Sequence, residues 1–454
     1  MNTKRMMRWI IVLFLLAALP VMTAVMAQGQ EPGNASSEET RPAFLNVTAP
    51  PNVFESEPND TRQTANTINV NDVIGGDCER SSDTGDWYRF NMLNGGYVLI
   101  EISAESYGAV GYRLTDSAGK PLSYAYRDYE HYGALLFENL HGGDYYIEVS
   151  FFERDSSCVA PNSLPYRLTI SSPLLVSAGS KDFKGGGSVA GVDFYSQDIL
   201  AYSDLNNGEE RWQMFFDGSE AGITSNVIAV AASGPGSGRV WDGDEILITT
   251  ADKPYDIYIY DPIGPSLGTG YNPPEGYGRL TNGTWRMGLE GAVHGLTTAT
   301  EKLDAIENWV NGSGHCYGFP VSTVGVAEVP GIVSTVLIKS DDEDIFCKVY
   351  NGSWQHWTYF FDVKGKRNAP KWWVPAAVPV PGMPREDVFA LAYNDDTDVM
   401  YLTIQGTGNI MGHAVTQKDI FAINYPGYTW GGVVWHGPDH GWNYNIDAIE
   451  FNGW

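Results

Sequence analysis

The residues best suited to chemistry in this 454-residue chain lie near its C-terminus, where aromatic, histidine and acidic side chains alternate over a short segment. Indole rings stack on ligands, while imidazole and carboxylate groups bind metals or polar ligands. We interpret this segment as a candidate ligand-binding site. The alternative is packing between strands beside a solvated loop. The candidate residues are Trp430, Trp435, His436, Asp439, His440 and Trp442.

A second pair of reactive types, His315 and Cys316, is adjacent in the sequence. A cysteine nucleophile needs a lowered thiol pKa and a histidine within contact distance. Neighbours on an extended chain point to opposite sides, so this pair is not expected to meet. The chain also contains no protease, esterase or phosphate-loop motif. We therefore assign no catalytic residue and favour a protein that is not an enzyme.

Acidic residues provide the runner-up hypothesis, a secreted polysaccharide hydrolase. Glycoside hydrolysis needs two carboxylates ~5–9 Å apart, with aromatic groups beside them. An aspartate beside a turn also accepts backbone N–H bonds, so sequence spacing does not separate the two roles. The candidate acids are Asp198, Asp256, Asp344, Asp419, Glu290, Glu307 and Asp439.

The elements that would position these side chains recur between residues 174 and 454. A first phrase of Asp, Ile and a large apolar residue begins at Asp198, Asp256, Asp344 and Asp419. After each comes an aromatic strand and then a second apolar phrase. The second phrases begin at Asn226, Asp304, Asp387 and Asp447.

Strand-like runs at 245–250, 335–340 and 399–404 close three of these units, and a spare run at 188–195 precedes the first. Pairing of first and last strands seals a ring of repeats, so we predict a four-bladed β-propeller over 174–454. Five blades or a pair of sandwiches are the alternatives. Insertions at 261–283, 309–332 and 363–386 would form loops on a binding face.

The preceding region, residues 55–173, contains short strand-like runs at hairpin spacing, separated by turn sequences such as Asn94-Gly95-Gly96. This pattern predicts a β-sandwich. The abundance of Gly (51) and Tyr (26), without long helical periodicity, makes the whole chain all-β.

Five motifs in this region follow one another in a specific order. They are Glu-Ser-Glu-Pro-Asn-Asp at 55–60, Asp-Thr-Gly-Asp-Trp-Tyr-Arg-Phe at 83–90, Tyr-Arg-Leu-Thr-Asp-Ser-Ala-Gly at 112–119, Gly-Gly-Asp-Tyr-Tyr-Ile-Glu-Val at 142–149 and Pro-Tyr-Arg-Leu-Thr-Ile at 165–170. This order resembles that of the bacterial pre-peptidase C-terminal domain, a jelly-roll-like β-sandwich appended to secreted enzymes and surface proteins.

The resemblance implies a calcium site, because collagenase relatives in this family bind calcium. In those relatives an acidic N-terminal segment and a pair of Asp before an aromatic strand supply the oxygen ligands that calcium requires. The alternative is a solvated acidic linker followed by a turn. The matching residues here are Glu55, Glu57, Asn59, Asp60, Asp83 and Asp86.

The N-terminus predicts export. Lys4, Arg5 and Arg8 precede a short apolar run, Pro20 ends that run, and Ala27 is a small residue at the expected cleavage position. Residues 1–27 are therefore predicted to be a signal peptide, and the run is shorter than the ~20 residues of a membrane-spanning helix. We expect a secreted or cell-surface protein with no transmembrane anchor after cleavage.

Polar residues 28–54 are predicted to be a flexible linker. The formal net charge of the whole chain is −27, and the basic signal peptide would make the mature protein more negative still. Such a surface repels nucleic acid, so we exclude a nucleic-acid partner.

Four cysteines remain after export: Cys78, Cys158, Cys316 and Cys347. An even number in an oxidising compartment favours disulfides. Their grouping suggests the pairs Cys78–Cys158 and Cys316–Cys347, with free thiols as the alternative.

Together these observations favour a secreted or surface-displayed protein that recognises a glycan or an extracellular protein through the propeller loops. The hydrolase is one alternative, and a purely structural or adhesive role is another. The sequence does not identify the ligand or the oligomeric state.

Overall fold

The structure is a computed structural model, and the regular elements of its described residues are strands and two short 3-10 turns. Within the part of the chain that it describes, no helix is long and apolar enough to cross a membrane. The described residues are 50–79, 85–93, 96–104, 110–126, 133–140, 142–151, 163–178, 186–219, 221–232, 246–261, 284–307, 318–323, 327–330, 337–340, 345–351, 354–361, 388–394, 397–424 and 429–451. The predicted signal peptide and most of the predicted linker lie outside them.

The first ten strands form what we call the two-sheet region. One five-stranded sheet has the order β1-β3-β10-β5-β8, and the other has the order β2-β4-β9-β6-β7. The strands are β1 (Val53–Phe54), β2 (Asn66–Thr67), β3 (Val73–Glu79), β4 (Asp86–Met92), β5 (Gly96–Ala104), β6 (Val110–Asp116), β7 (Pro121–Tyr126), β8 (Gly133–Leu140), β9 (Gly143–Phe151) and β10 (Ser163–Ser171).

Alternation of apolar and polar residues explains why these strands pack as they do. In β4, the side chains of Tyr88 and Phe90 are fully buried while Arg89 between them is exposed. Such alternation gives each strand one face that can enter a core. Leu168 on the first sheet and Ile147 on the second belong to one buried cluster, so the two sheets share a single core.

The remaining strands form what we call the four-sheet region. They are β11 (Leu174–Ser177), β12 (Gly187–Val189), β13 (Val192–Phe194), β14 (Ile199–Asp204), β15 (Glu210–Phe216), β16 (Val227–Ala232), β17 (Ile246–Thr250), β18 (Lys253–Asp261), β19 (Thr284–Leu289), β20 (Leu303–Ile306), β21 (Gly318–Thr323), β22 (Ala327–Pro330), β23 (Leu337–Ser340), β24 (Ile345–Asn351), β25 (Trp354–Phe361), β26 (Val388–Asn394), β27 (Val399–Ile404), β28 (Thr407–Ile410), β29 (His413–Thr416), β30 (Asp419–Asn424), β31 (Thr429–His436) and β32 (Ala448–Glu450).

Four four-stranded sheets dominate this region. Their orders are β15-β14-β11-β32, β16-β17-β18-β19, β20-β21-β24-β25 and β26-β27-β30-β31. One edge strand of each sheet contacts the equivalent strands of two other sheets, in the cyclic order β32, β16, β20, β26 and back to β32. The C-terminal strand β32 pairs with β11 and so completes a sheet whose other strands come from the start of the region.

Two strand assignments made from the sequence are wrong. Residues 188–195 and 335–340 were expected to close sheets, but they contribute to the hairpins β12–β13 and β22–β23. The closing positions belong to β11 and β21. β21 contains Gly318 and Pro320, which are poor strand formers, and β11 directly follows the two-sheet region, so neither strand was recognised.

The two regions meet through buried contacts. Leu99 of β5 belongs to the same buried cluster as Phe216 of the four-sheet region. Across the same junction, Arg211 forms an ion pair with Glu101. Nδ2 of Asn206 donates to Oδ1 of Asp72 at 2.8 Å. These contacts mix apolar packing with charge pairing, so the junction is a packed interface.

Candidate functional site

Three carboxylates converge where the two-sheet region begins. Single oxygen atoms of Glu55, Glu57 and Asp86 all lie within 4.8 Å of one another. Asn59 is fully buried. When oriented to donate, its amide nitrogen lies 3.2 Å from Oε1 of Glu57 and 3.1 Å from Oδ1 of Asp86. Four of the six residues implied by the family resemblance therefore come together.

Backbone hydrogen bonds hold the segments that carry these side chains. The N–H of Glu55 donates to the carbonyl oxygen of Gly75 at 3.1 Å, and that of Trp87 donates to the carbonyl oxygen of Asn59 at 3.0 Å. Glu55 directly follows β1 of the first sheet, whereas Asp86 begins β4 of the second. The cluster therefore joins the two sheets.

Two tyrosine hydroxyl groups lie behind the carboxylates. Tyr166 donates to Oδ2 of Asp86 at 2.6 Å, and Tyr88 donates to Oε2 of Glu55 at 3.2 Å. The two hydroxyl oxygens are 2.5 Å apart. Burial raises the pKa of both phenols. Both therefore keep their protons at neutral pH and act as donors to the carboxylates.

The electrostatics of the cluster favour a cation. Burial raises the pKa of Glu55, and the negative charge of Glu57 raises it further, while the N–H of Asp77 and the two tyrosine hydroxyls lower it. Carboxylates this close repel one another unless a proton or a metal ion compensates them.

The donor set fits calcium. Calcium takes six to eight oxygen ligands, mainly from carboxylates, amide carbonyls and water. Glu55, Glu57 and Asp86 supply carboxylate oxygens, and a 180° rotation of the Asn59 amide would replace its nitrogen with a carbonyl oxygen. Two other candidates are not in this group. Asp60 is half-buried and does not belong to the converging carboxylates, and Asp83 lies outside the described residues.

The structure also reveals site residues that sequence reasoning missed, namely Tyr88, Tyr166 and Gly76. A Cβ atom at Gly76 would lie 2.2 Å from Cζ of Tyr166, so the tyrosine ring needs a residue without a side chain beneath it. Both tyrosines occur in the family-like motifs. The motifs do not show which carboxylates their hydroxyls meet.

The C-terminal aromatic candidates divide into buried and accessible side chains. Trp435 and Trp442 are 2% and 0% exposed, and Trp442 stacks on Trp212 with 5.3 Å between ring centroids. Their rings pack the core and offer no free face to a ligand in this conformation. Trp430 is half-buried and stacks on His413 with a centroid distance of 4.7 Å.

The candidate His440 joins a hydrogen-bonded network. Its Nδ1 lies 2.8 Å from the hydroxyl of Tyr202 and 2.9 Å from Oε1 of Glu210. Its carbonyl oxygen accepts a bond from the indole N–H of Trp212 at 3.0 Å, and its ring stacks on Trp435. These contacts attach the turn containing His440 to β14 and β15.

The two other polar candidates differ in their surroundings. Nδ1 of His436 hydrogen-bonds to Oδ1 of Asp419, whereas Asp439 is exposed. Trp430, His436, Asp439 and His440 are the four candidates with accessible surface. A ligand site at these residues stays a prediction.

The acids of the repeated phrase act as turn acceptors wherever they are described. Asp198 accepts the N–H of Tyr195 at 2.7 Å and that of Gly218 at 2.9 Å. Asp256 accepts the N–H of Gly291 at 3.1 Å. Asp344 lies outside the described residues.

Two of the remaining candidate acids accept backbone N–H groups, and a third is exposed. Asp419 accepts the N–H of Thr416 at 2.7 Å. Glu307 is buried and accepts the N–H of Tyr393 at 2.5 Å, and Glu290 is exposed. Asp198, Asp256, Asp419 and Glu307 thus all have backbone N–H donors.

Only one cysteine side chain falls in the described part of the chain. Cys347 is fully buried and disulfide-bonded. Cys78 lies on β3, but its side chain is outside the described part, as are Cys158 and Cys316. The pairs Cys78–Cys158 and Cys316–Cys347 therefore stay predictions.

Comparison with known proteins adds one finding. No protein-family model matches the chain, and no curated protein matches it. Among solved structures, the chain is similar to the pre-peptidase C-terminal domain of collagenase from Bacillus anthracis, with 22% identity over 24% of this chain and 94% of that chain and a TM-score of 0.20.

Proposed function

We propose that the protein is a secreted or cell-surface binding protein. In this proposal a calcium-binding, jelly-roll-like sandwich of the pre-peptidase C-terminal type supports a propeller that recognises a glycan or an extracellular protein. The observation that carries the proposal is the convergence of Glu55, Glu57, Asp86 and the buried Asn59 on one point. When bound there, calcium would neutralise the carboxylates and tie the two sheets together.

The arrangement of the four-sheet region supports a four-bladed β-propeller. The edge strands β16, β20, β26 and β32 contact one another in a cycle, as the innermost strands of blades do. Pairing of β32 with β11 joins the two ends of the region within one sheet, which is how propellers close their ring. Of the insertions predicted from the sequence, 309–332 contains the strands β21 and β22 and so is not the expected loop, whereas 261–283, apart from its first residue, and 363–386 lie outside the described residues. In this proposal those two insertions and the accessible residues of β31 carry the ligand-binding surface.

The hydrogen bonding of the repeated acids supports binding over hydrolysis. A glycosidase needs two acids whose environments hold one protonated and the other ionised beside the substrate. Asp198, Asp256 and Asp419 instead accept backbone N–H groups at turns. A carboxylate that accepts these bonds positions the backbone of the turn.

A glycan array tests the proposal directly. The mature protein (residues 28–454) is screened with calcium and with a chelator, and every bound glycan is analysed for cleavage products. A parallel capture experiment uses purified extracellular matrix proteins as probes. We expect binding without product, and weaker binding in chelator.

Two variants on β31 locate the binding surface. Trp430→Ala removes the accessible ring, whereas Val433→Ala removes an apolar side chain that is 43% exposed on the same strand. We expect binding to weaken about tenfold or more for Trp430→Ala and to change little for Val433→Ala. Cleavage of a bound glycan would support the hydrolase instead, and self-association without any ligand would support the adhesive role.

A further inference from the structure

A polar cavity of about 320 Å³ lies on the second sheet of the two-sheet region. Its walls combine two arginines with neutral hydrogen-bonding side chains and contain no carboxylate. On a chain with a formal net charge of −27, this concentration of positive charge is unusual. The lining residues are Arg62, Gln63, Ala65, Thr67, Arg89 and Tyr146.

The guanidinium group of Arg62 is held in place from two sides. It donates a hydrogen bond to the carbonyl oxygen of Ser117. Its central carbon also lies 4.7 Å from the ring centroid of Tyr146. A Cβ atom at Gly119 would lie 2.2 Å from Nη1 of Arg62, so the turn approaches the guanidinium group closely. A guanidinium group fixed in this way loses little conformational entropy when it binds a ligand.

The second arginine is fixed by one acid. Nη2 of Arg89 donates to Oδ2 of Asp144 at 2.7 Å, and Asn91 donates to the other oxygen of that carboxylate at 2.9 Å. Each guanidinium group has five N–H donors, so both keep donors for a ligand. The lining itself contains two arginines and no carboxylate, so positive charge predominates at its surface.

We propose that this cavity binds one acidic sugar residue of a glycan, carrying a carboxylate or a sulfate. Arginine recognises such oxyanions through paired hydrogen bonds. The volume is at the small end of ligand pockets, which suits a single sugar ring. Gln63, Thr67 and the hydroxyl of Tyr146 can hydrogen-bond to sugar hydroxyl groups, and the polar lining disfavours an apolar ligand. The site is distinct from the C-terminal aromatic candidates.

Calorimetric titration of the mature protein at low salt tests the site. The probes are a hexuronate tetrasaccharide, a sulfated hexose disaccharide and a neutral hexose tetrasaccharide. We expect one acidic probe to bind and the neutral one not to bind. Arg62→Gln and Arg89→Gln should each weaken binding about tenfold or more, because each removes a charge-assisted hydrogen bond. Arg62→Lys keeps the positive charge but loses the planar pair of guanidinium N–H donors, so it should also weaken binding.

The matched control is Arg113→Gln. Arg113 is an exposed arginine of the same sheet that pairs with Glu148 and does not line the cavity, so its loss should leave binding unchanged. Thermal unfolding of each variant verifies folding. The proposal is overturned if neither acidic probe binds, if the neutral probe binds equally, or if Arg113→Gln weakens binding as much as Arg62→Gln. Tighter binding of a hexaglutamate peptide with the same arginine dependence would assign the site to acidic peptides and overturn it too.

Discussion

The hydroxyl oxygen of Tyr166 lies 2.6 Å from Oδ2 of Asp86, so a strand of the first sheet holds a buried carboxylate of the second. Asp86 has no exposed surface. A buried carboxylate is costly unless it is hydrogen-bonded or paired with a cation. The tyrosine supplies the first kind of compensation, and the proposed calcium ion would supply the second.

Replacing Tyr166 with Phe should lower both stability and calcium affinity. The variant removes the hydroxyl that donates to Oδ2 of Asp86, and loss of a hydrogen bond to a buried charged group costs about 1–3 kcal/mol. Tyr112→Phe is the control, because its hydroxyl donates to the carbonyl oxygen of Ile100 at 2.7 Å in the same core. Urea unfolding with and without calcium should show reduced stability for both variants but weaker calcium binding only for Tyr166→Phe. Equal calcium affinity in the two variants would contradict the positioning role.

Glu57 and Asp60 provide a comparison between neighbouring acids. Glu57 belongs to the converging group, whereas Asp60 does not. A bound ion stabilises the folded state by mass action. We expect calcium to raise the unfolding temperature of wild type and Asp60→Asn similarly, and to raise that of Glu57→Gln much less. Differential scanning fluorimetry over a calcium series measures these shifts. A larger effect for Asp60→Asn would place the ligands elsewhere in the acidic segment.

Asp447 should make stability depend on pH. Burial raises the pKa of its carboxyl group to about 8, and Oδ1 has no hydrogen-bond partner. The folded state therefore holds this proton more tightly than the unfolded state. The resulting stabilisation is fully present below the unfolded pKa of about 4 and is lost as the pH rises through 8.

The substitution Asp447→Asn keeps this side chain neutral at every pH. It should make the protein more stable than wild type at pH 9, by about 1 kcal/mol or more, and should flatten the decline between pH 5 and 9. Asp439→Asn, at an exposed position, is the control. Urea unfolding at pH 5, 7 and 9 measures the difference. Parallel profiles for wild type and Asp447→Asn would show that the carboxyl group titrates normally.

The ion pair between Arg211 and Glu101 should be important for the junction of the two regions. Their side chains are only 10% and 11% exposed. Burial raises the pKa of Glu101, and the charge of Arg211 lowers it. Arg211→Met would leave Glu101 buried without its cation, at a cost of about 3–5 kcal/mol.

A surface pair gives the matched control for this substitution. Arg113 and Glu148 also form an ion pair, but the side chain of Arg113 is 45% exposed. Arg113→Met should therefore cost less than about 1 kcal/mol. Urea unfolding compares the two variants. A similar small loss in both would mean that the junction does not depend on the buried pair.

The sequence located the repeated phrases but not their register. Asn226 and Asp304 were aligned as equivalent residues. In the structure Ala229 pairs with Thr249 and Ala305 pairs with Ser322, so the equivalent positions differ by two residues from that alignment. Each strand contains a register shift just before the alanine. Because the shift has the equivalent place in both strands, it is not the cause of the difference. A polar residue followed by two apolar ones occurs at Asn226 and again at Asp304, and this local pattern does not show which residues pair with the neighbouring strand.

The composition of the candidate metal site also depends on packing that the sequence pattern does not reveal. The family resemblance implied Glu55, Glu57, Asn59, Asp60, Asp83 and Asp86 together, and the first four of these are neighbours in the chain. Selection of Asp86 over Asp60 depends on how β4 packs near β10, which is a tertiary property. Sequence spacing carries no information about that packing. The short strand-like runs between turn sequences and the lack of helical periodicity, by contrast, predicted the all-β fold.

Calorimetric titration of calcium into chelator-treated mature protein tests the central claim most directly. We predict one bound ion per chain, and loss of that binding in Asp86→Asn with retention in Asp60→Asn. The absence of any binding heat and of any change in unfolding temperature at millimolar calcium would contradict the account.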